Sequence, residues 1–471
     1  MGRFWNRRLL SDYGSVLILL LLCAYYSWAT LSVQHPISPT AGRELADQII
    51  ATSGPAANVL IVIRNTEQDK AFAGAAAEQL TKAGVHVLET LGGDPAIVRQ
   101  TLQRLGSSNT RVDAIATHQP GSAWGPLREE SLKAIGKEYP SLAQVQVFTP
   151  RSYVWPAFLT RENLLNVVNQ NADVAIIAIG MSLVIITAGI DLSVGSLLAV
   201  SGVLTAIAIQ QWGGGAQASV PMLIFCSLCG IGACALCGVF NGAMVTFFRV
   251  PAFVVTLAMM MVARGLALIA AVQYQKFLSG GTTEGTPEAI KIGSPAFSWL
   301  GGGVTAGVPN PIWLMLVLYF AAYIVMSRTT LGRYIYAVGG NPEAARLSGV
   351  PVKGVLILVY AISGAMAGLA GIVDSSRFDG GRPNAGESYE LQVIAAVVVG
   401  GTSLAGGEGR IFGTLVGAMI IAVIQNGLNM AGVKSYEQKV VFGLLILGAV
   451  MLDQLKSSQF RNPLRLLWRT K

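Results

Sequence analysis

Long apolar runs separated by short polar loops fill most of the chain after Asn163. A helix needs about 20 residues to cross a bilayer, and this length predicts about ten spans. The first is the apolar run Val16–Val33. The others are predicted at 172–190, 194–211, 221–247, 252–273, 311–327, 354–373, 390–400, 411–430 and 438–453. The run 390–400 is short, which indicates a broken helix of the kind that buried membrane segments tolerate.

The beginning of the chain has a second interpretation. Arg3, Arg7 and Arg8 precede the run Val16–Val33, as in a secretory signal peptide. The run is long and has no clear A-x-A cleavage site, which favours an uncleaved first span. The sequence thus predicts a segment 1–34 made of a cytoplasmic end and a transmembrane helix.

The segment 35–158 has a different pattern. Four strand-like runs alternate in it with helix-like stretches, which predicts a small parallel sheet with helices on both faces. About 110 residues are enough for one compact core. The strands are predicted at Asn58–Ile63, Val85–Glu89, Val112–Thr117 and Val145–Phe148, and the helices around 67–83, 94–105 and 126–138. The predicted fold class is an all-α polytopic membrane protein with a small extracytoplasmic α/β domain inserted after the first helix.

Composition agrees with membrane insertion. Hydrophobic residues make up 52% of the chain and charged residues only 12%, well below the roughly one quarter of soluble proteins. The 54 glycines favour closely packed transmembrane helices. The net charge of +8 does not indicate nucleic-acid binding, because the basic residues lie in loops rather than on one face.

The distribution of basic residues predicts the topology. Loops on the side that holds both termini carry most of them, including Arg249, Arg328, Arg333, Arg346 and Arg410. Basic loops stay in the cytoplasm. We therefore expect a multi-pass protein of the cell (inner) membrane with both termini cytoplasmic, a permease domain at 159–455 and a basic cytoplasmic tail at 456–471.

One polar break stands between two spans. In the motif GIDLSVGS, Asp191 lies between Gly189 and Gly195. Transporters place substrates at such breaks, whereas the alternative is that Asp191 only caps the next helix. Arg264 lies mid-span and is expected to pair with a carboxylate or helix-end carbonyls, either lining the pathway or joining helices. The full set of pathway or helix-break candidates is Asp191, Ser193, Gly195, Arg264, Asn241, Gly400, Gly401 and Asn426.

The loop Arg328–Lys353 is the longest predicted cytoplasmic connection. Asn341 can cap a helix that has Pro342 at its first turn and Glu343 at the positive end of the dipole. That helix is expected to end at Gly349. The pattern predicts a short docking helix on the cytoplasmic face, and the alternative is an ordinary basic loop.

Three motifs together indicate a family. GIDLSVGS, NPEAARLSG and VVVGGTSLAGGEGRIFGTLVGAMIIAVIQNGLNMAG resemble the permease subunit of bacterial ABC importers for simple sugars, particularly ribose and xylose permeases. The resemblance runs from about Thr160 to about Asp453. It implies a homodimer or a pair of similar subunits with the pathway at their interface, two cytoplasmic ATPase subunits and an extracytoplasmic sugar-binding protein. It also implies a coupling helix to the ATPase made of Asn341, Pro342, Glu343, Ala344, Ala345, Arg346 and Gly349.

The segment 35–158 departs from that family, whose members usually have no soluble insert there. Its pattern resembles part of a lobe of a periplasmic sugar-binding protein. It could dock the binding protein, be a degenerate ligand-binding lobe or act as a spacer, and we favour docking or accessory sensing. One lobe lacks the cleft that two lobes form.

The chain offers no site for a metal or a nucleotide. Cys226, Cys229, Cys234 and Cys237 lie in an apolar span without a second shell for zinc. No phosphate-binding loop occurs, because Val433 stands where the nearest candidate needs lysine. The chain is therefore predicted to bind no cofactor and not to be an enzyme, with ATP and magnesium used by a partner subunit.

The predicted function is alternating-access import of a monosaccharide, driven by partner ATPases. A gradient-driven secondary transporter is the first alternative, although it would need ionisable residues at mid-membrane. A membrane receptor with an extracytoplasmic sensing domain is the second. The transported sugar, the lining residues, the role of the insert and the choice between homodimer and heterodimer stay open.

Overall fold

The computed structural model describes residues 2–280 and 287–456, with side chains described from residue 14 except at 449–450 and 452–456. The predicted tail 456–471 lies outside these residues apart from Lys456. The chain divides into two compact units. One, the insert, is Thr30–Ala157. The other, the membrane unit, combines the residues before Thr30 with those from Phe158 onward.

The insert begins and ends in one small sheet. Strand β1 (Leu31–Gln34) pairs antiparallel with β6 (Tyr153–Pro156), so that Leu31 faces Pro156 and Gln34 faces Tyr153. The chain therefore enters and leaves the insert through adjacent strands. This geometry lets a domain be placed within another fold without separating the helices on either side of it.

Four parallel strands form the centre of the insert in the order β3-β2-β4-β5. They are β2 (Asn58–Ile63), β3 (His86–Gly92), β4 (Ala114–Thr117) and β5 (Gln146–Phe148). The helices of the insert are α2 (Pro39–Ser53), α3 (Glu67–Lys82), α4 (Pro95–Ser107), α5 (Gln119–Ser122) and α6 (Glu129–Glu138). Each of the four predicted strands lies in this sheet.

Helix α2 is missing from the sequence prediction. Ser38 caps it by accepting a hydrogen bond from the main-chain N–H of Ala41, and Pro39 is its first residue. Both are helix-start signals that the sequence already carried. Helices α2 and α3 cover one face of the sheet through Leu45 and Phe72, whereas Leu102 of α4 packs on the opposite face.

A buried polar cluster lies at the carboxyl ends of β2 and β4, where the strand order reverses. The Asp69 carboxylate accepts hydrogen bonds from Arg64 Nε at 2.9 Å and from His118 Nε2 at 3.0 Å. Main-chain N–H of Gly121 donates to His118 Nδ1, which fixes the neutral tautomer. Asp69 and His118 are fully buried.

At neutral pH, Asp69 and His118 both keep their usual protonation states, which are an ionised carboxylate and a neutral imidazole. Burial alone would raise the pKa of Asp69, but the hydrogen bond from Arg64 and the neighbouring charges outweigh it and lower that pKa. Burial lowers the pKa of His118 from its ordinary 6.5 despite the opposing effect of Asp69. His118 therefore stays neutral in the fold, while the unfolded chain takes up a proton.

We expect the insert to lose stability as the pH falls below about 6.5, the ordinary pKa of histidine. The lowered pKa values of Asp69 and His118 act in the same direction, because a group with a lowered pKa in the folded state binds more protons in the unfolded state on acidification. Hydrogen exchange of residues 58–63 in the full chain, at about pH 7.5 and about pH 5.5, measures this loss. The variant His118→Asn should be less stable overall, but its stability should change less with pH near the ordinary pKa of histidine. An unchanged pH dependence in this variant would contradict the role assigned to His118.

Among the described residues, the membrane unit is almost entirely helical, and its strands are each two residues long. The strands are β7 (Ile290–Lys291), β8 (Val304–Thr305), β9 (Val308–Pro309) and β10 (Gly380–Gly381). The helices are α1 (Gly2–Ala29), α7 (Arg161–Gln170), α8 (Ala172–Ile186), α9 (Val194–Gln211), α10 (Val220–Phe247), α11 (Ala252–Leu278), α12 (Pro295–Gly302), α13 (Asn310–Arg328), α14 (Thr330–Gly340), α15 (Pro342–Leu347), α16 (Val352–Arg377), α17 (Tyr389–Val399), α18 (Ile411–Met430) and α19 (Ser435–Lys456).

The structure supports a polytopic membrane protein. Within the described residues, 6 helices are long and apolar enough to span a membrane, namely α9, α10, α11, α13, α16 and α18. Helices α7 and α8 bend by 44° at their junction and count as a seventh if they form one span. The apolar parts Gly14–Ala29 and Tyr389–Val399 are shorter. The count of ten spans stays a prediction.

Glycines allow a close helix contact in this unit, between α10 and α16. A Cβ on Gly238 would collide with the carbonyl oxygen of Tyr360, and one on Gly364 would collide with that of Cys234. Small residues let helix backbones approach closely where lipid gives no hydrophobic drive for association. The high glycine content therefore has a specific structural role here.

We expect Gly238→Ala to destabilise the membrane unit by about 1–3 kcal/mol, because the added methyl group must push α10 away from α16. Gly232→Ala on the same helix is the matched control, since no atom lies within 4 Å of its added Cβ. Thermal unfolding of both purified variants measures the difference. Equal unfolding midpoints for the two variants would contradict this expectation, because they would show that the contact between α10 and α16 accommodates the methyl group without loss of stability.

Candidate transport pathway and coupling helix

The break between α8 and α9 is tied to a neighbouring helix by a buried carboxylate. Asp191 Oδ1 accepts from the main-chain N–H of Ser193 at 3.0 Å and from Ser193 Oγ at 2.6 Å. Asp191 Oδ2 accepts from Ser363 Oγ of α16 at 2.8 Å. Asp191 thus closes a local turn and joins the break to α16. It does not cap α9, as the alternative from the sequence had it, because the N-cap residue of that helix is Ser193.

Three candidate residues meet at this break. Asn241 of α10 donates from Nδ2 to Ser193 Oγ at 3.2 Å, and Asp191, Ser193 and Asn241 are all fully buried. Asn241 Oδ1 and Tyr360 Oη have no hydrogen-bond partner among the described residues. Gly195 is the second residue of α9, where a Cβ would collide with the carbonyl of Gly386.

The segment 378–388, here called the α16–α17 connection, runs back along α9. Gly381 lies against Gly202, and Gly386 lies against Gly195, nearer the start of α9. Asp379 and Ser388 at its two ends have positive φ angles of 51° and 65°. Helix α17 therefore begins beside the first turn of α9, which explains why this apolar helix has only 11 residues.

Arg264 holds that connection in place. Its Nη1 donates to the carbonyl oxygens of Pro383 at 2.9 Å and Ala385 at 2.7 Å. The partners are therefore main-chain carbonyls of the connection rather than the carboxylate or helix end that the sequence suggested. Both carbonyls precede α17, so this arginine fixes where the short helix starts.

The remaining candidates lie elsewhere. Gly400 packs against the backbone of Gly413, where α17 meets α18, and Gly401 has a φ of 94° in the turn that follows. Asn426 and Asn163 exchange two amide hydrogen bonds of 2.9 and 3.1 Å, which join α18 to α7. None of the described hydrogen bonds connects these residues to Asp191.

A short helix, α15, lies where the docking helix was predicted. Asn341 Oδ1 accepts from the main-chain N–H groups of Glu343 and Ala344, both at 3.0 Å, and Pro342 is the first helical residue. Gly349 follows the helix with a φ of 84°. Glu343 and Arg346 form an exposed ion pair, whereas Ala345 is buried.

Leu347 completes the outer surface of α15, and the sequence interpretation missed it. Its side chain is 79% exposed at the last position of the helix. Such an apolar side chain beside the exposed Glu343–Arg346 pair suits a contact with another protein. A hydrophobic residue at the end of a short helix, directly after a charged residue, was the available signal.

Helix α15 is mechanically connected to the break through α14. A Cβ on Gly339 of α14 would collide with the carbonyl of Ile186, the last residue of α8, and with the main-chain nitrogen of Gly407. Gly407 itself donates to that Ile186 carbonyl at 2.8 Å. The contact at Gly339 therefore joins α14 to the last residue of α8, five positions before Asp191.

Four charged residues that the sequence interpretation did not single out also cluster in this unit. Asp173, Asp374, Arg377 and Arg382 form two ion pairs at the start of α8, the end of α16 and the α16–α17 connection. Charged residues at both ends of predicted spans were the signal that could have found them.

Comparison with known proteins identifies the family of the membrane unit. Residues 163–450 match the family described as branched-chain amino acid transport system / permease component. The chain belongs to this family. No solved structure matches the chain.

Several relatives of the chain are named as sugar-transport proteins. The chain is 44% identical to the ribose import permease protein of Escherichia coli (strain K12), over 64% of this chain and 88% of the relative. It is 42% identical to the ribose import permease protein of Bacillus subtilis (strain 168), with the same coverage of both chains. It is 36% identical to the xylose transport system permease protein of E. coli (strain K12), over 63% of this chain and 86% of the relative. The predicted family is confirmed.

We expect Arg264→Gln to raise the amide hydrogen-exchange rate of residues 380–388 by about tenfold or more, because hydrogen bonds to a charged donor contribute about 1.5–3 kcal/mol each. Arg333→Gln, an exposed arginine of α14, is the matched control. Exchange mass spectrometry in lipid nanodiscs measures the effect. Equal protection in both variants would show that the connection holds without Arg264.

Proposed function

We propose that this chain is the transmembrane permease subunit of an ATP-driven ABC importer that carries a ribose- or xylose-like monosaccharide by alternating access. The proposal rests on the match of residues 163–450 to a permease family, together with the similarity of the chain to proteins named as ribose and xylose permeases. Helix α15 supports it, because this exposed element suits docking of a separate ATPase.

The proposed mechanism follows the contacts of the membrane unit. Closure of the partner ATPase subunits pushes on α15, and α14 passes this displacement to Ile186 through the close contact at Gly339. Asp191 couples the break to α16 through Ser363. Helices α8, α9 and α16 then move together, and the pathway opens to one side of the membrane or the other.

The proposal includes partners and topology. We infer two cytoplasmic ATPase subunits, an extracytoplasmic sugar-binding protein and a second permease subunit. We also infer about ten spans, counting α1, α17 and α19, with both termini cytoplasmic and the insert outside the membrane. The adjacent strands β1 and β6 support an insert whose two ends lie on one side.

A second substrate class comes from the description of the family, which names branched-chain amino acids. The two classes are separated by uptake into proteoliposomes that contain the chain, its ATPase and its binding protein. Accumulation of D-ribose or D-xylose supports the proposal, whereas accumulation of leucine alone contradicts it. Accumulation without any ATPase would indicate a gradient-driven transporter and also contradict it.

We expect Leu347→Ser and Glu343→Arg to reduce ATP-dependent sugar uptake by about tenfold or more, because contacts at the centre of an interface contribute about 2 kcal/mol each. Co-purification of the ATPase should fall with it, while membrane insertion stays normal. Glu130→Gln, an exposed acidic residue of the insert, is the control. Unchanged uptake in both α15 variants would remove this helix from the coupling mechanism.

A further inference from the structure

Strands β1 and β6 form a two-stranded ribbon whose two faces differ in chemistry. Side chains alternate between the faces of a strand, and residues directly opposite each other share a face. One face, here called the apolar face, carries only side chains without a hydrogen-bonding group, namely Leu31, Val33, Val154 and Pro156. Every side chain on the other face has such a group, and these are Ser32, Gln34, Tyr153 and Trp155.

The apolar face is exposed. Leu31 is 52% exposed, Val33 55% and Val154 66%. None of these three side chains belongs to a hydrophobic cluster of the described residues, either in the insert or in the membrane unit. A ribbon of only two strands is marginally stable in water unless one of its faces packs against another surface. We therefore expect a surface outside this chain to cover the apolar face.

The chain connections bring the ribbon to the end of helix α1. Only Thr30 separates Ala29, the last residue of α1, from Leu31, the first residue of β1. No more than about 7 Å of chain lies between these two residues. The main-chain N–H of Ala157, directly after β6, donates to the carbonyl oxygen of Thr30 at 2.9 Å. Both strands of the ribbon are therefore joined beside the end of α1.

The end of α1 has the composition of a membrane interface. Tyr25 is 57% exposed and Trp28 is 73% exposed, whereas the exposed residues earlier in the helix include Leu20 and Leu21. Tyrosine and tryptophan are enriched at the level of the lipid headgroups. Neither strand of the ribbon contains a charged residue. The surface within reach of the apolar face is therefore a lipid surface.

We propose that the apolar face of the ribbon lies on the lipid bilayer and attaches the insert to the membrane surface. The partner is the boundary between headgroups and acyl chains, where amphipathic elements bind through their apolar side. The inference rests on the proposed insertion of α1 in the membrane. A second copy of this chain is the competing partner for the same face.

Photocrosslinking from the full chain, in nanodiscs of phosphatidylcholine and phosphatidylglycerol, tests this contact. The variant Val154→benzoylphenylalanine places a photoreactive side chain on the apolar face, and mass spectrometry identifies what it joins. We expect covalent lipid adducts at this position. The same replacement of Leu20 on α1 should also give lipid adducts. Replacement of Ile97, an exposed apolar residue of α4, should give none.

The possible outcomes separate the lipid contact from the topology on which it rests. Lipid adducts at Leu20 but not at Val154 would overturn the lipid contact alone. Adducts at neither position would overturn the membrane insertion of α1 and the lipid contact together. A covalent product between Val154 and a second copy of the chain would assign the apolar face to a protein interface. Equal lipid labelling at Ile97 and Val154 would also contradict a specific contact.

A pair of charge variants tests which face meets the lipid. Val154→Asp should raise the amide hydrogen-exchange rate of residues 31–34 and 153–156 by about tenfold in nanodiscs, because the contact of a valine side chain with lipid is lost. Ser32→Asp places the same charge on the opposite face of the ribbon and should exchange as the wild type does. Equal exchange in the two variants would overturn the assignment of the apolar face.

Discussion

Inside a bilayer, every main-chain polar group must find its partner within the protein. Two irregular segments among the described residues meet this requirement through ionisable side chains, namely the break after Ile186 and the α16–α17 connection. In the first, Asp191 accepts from the main-chain N–H of Ser193 and from the hydroxyl group of Ser363 on α16. Against the second, Arg264 of α11 donates to two main-chain carbonyls. Each irregular segment is therefore tied to a neighbouring helix by one ionisable side chain.

The two irregular segments are also neighbours. Gly195, just after the first, meets Gly386 of the second so closely that neither position has space for a side chain. The starts of α9 and α17 therefore lie side by side. Two helix N-termini that meet at irregular chain segments are typical of sites where transport proteins bind or move a substrate. In this protein a balanced charge cluster stands at the other end of the same connection.

The insert and the membrane unit are stabilised by different kinds of contact. Its sheet is covered on both faces by amphipathic helices, and its polar cluster of Arg64, Asp69 and His118 is internally satisfied. The membrane unit instead relies on glycines at helix contacts. Among the described residues it has seven buried polar side-chain atoms without a hydrogen-bond partner, whereas the insert has one, Ser141 Oγ.

The sequence by itself determined the family, the alternation of the insert and the helix at Asn341, because these depend on local signals such as apolar runs, caps and motifs. The strands of the insert and the position of α15 followed directly from those signals. Tertiary structure alone decided the partners of Arg264 and the contacts of Arg377 with Asn169 and Asp173, which lie more than 200 residues earlier in the chain. The physical reason is that a charged residue in a membrane must find a partner, but which carbonyl or carboxylate it finds depends on how the helices pack.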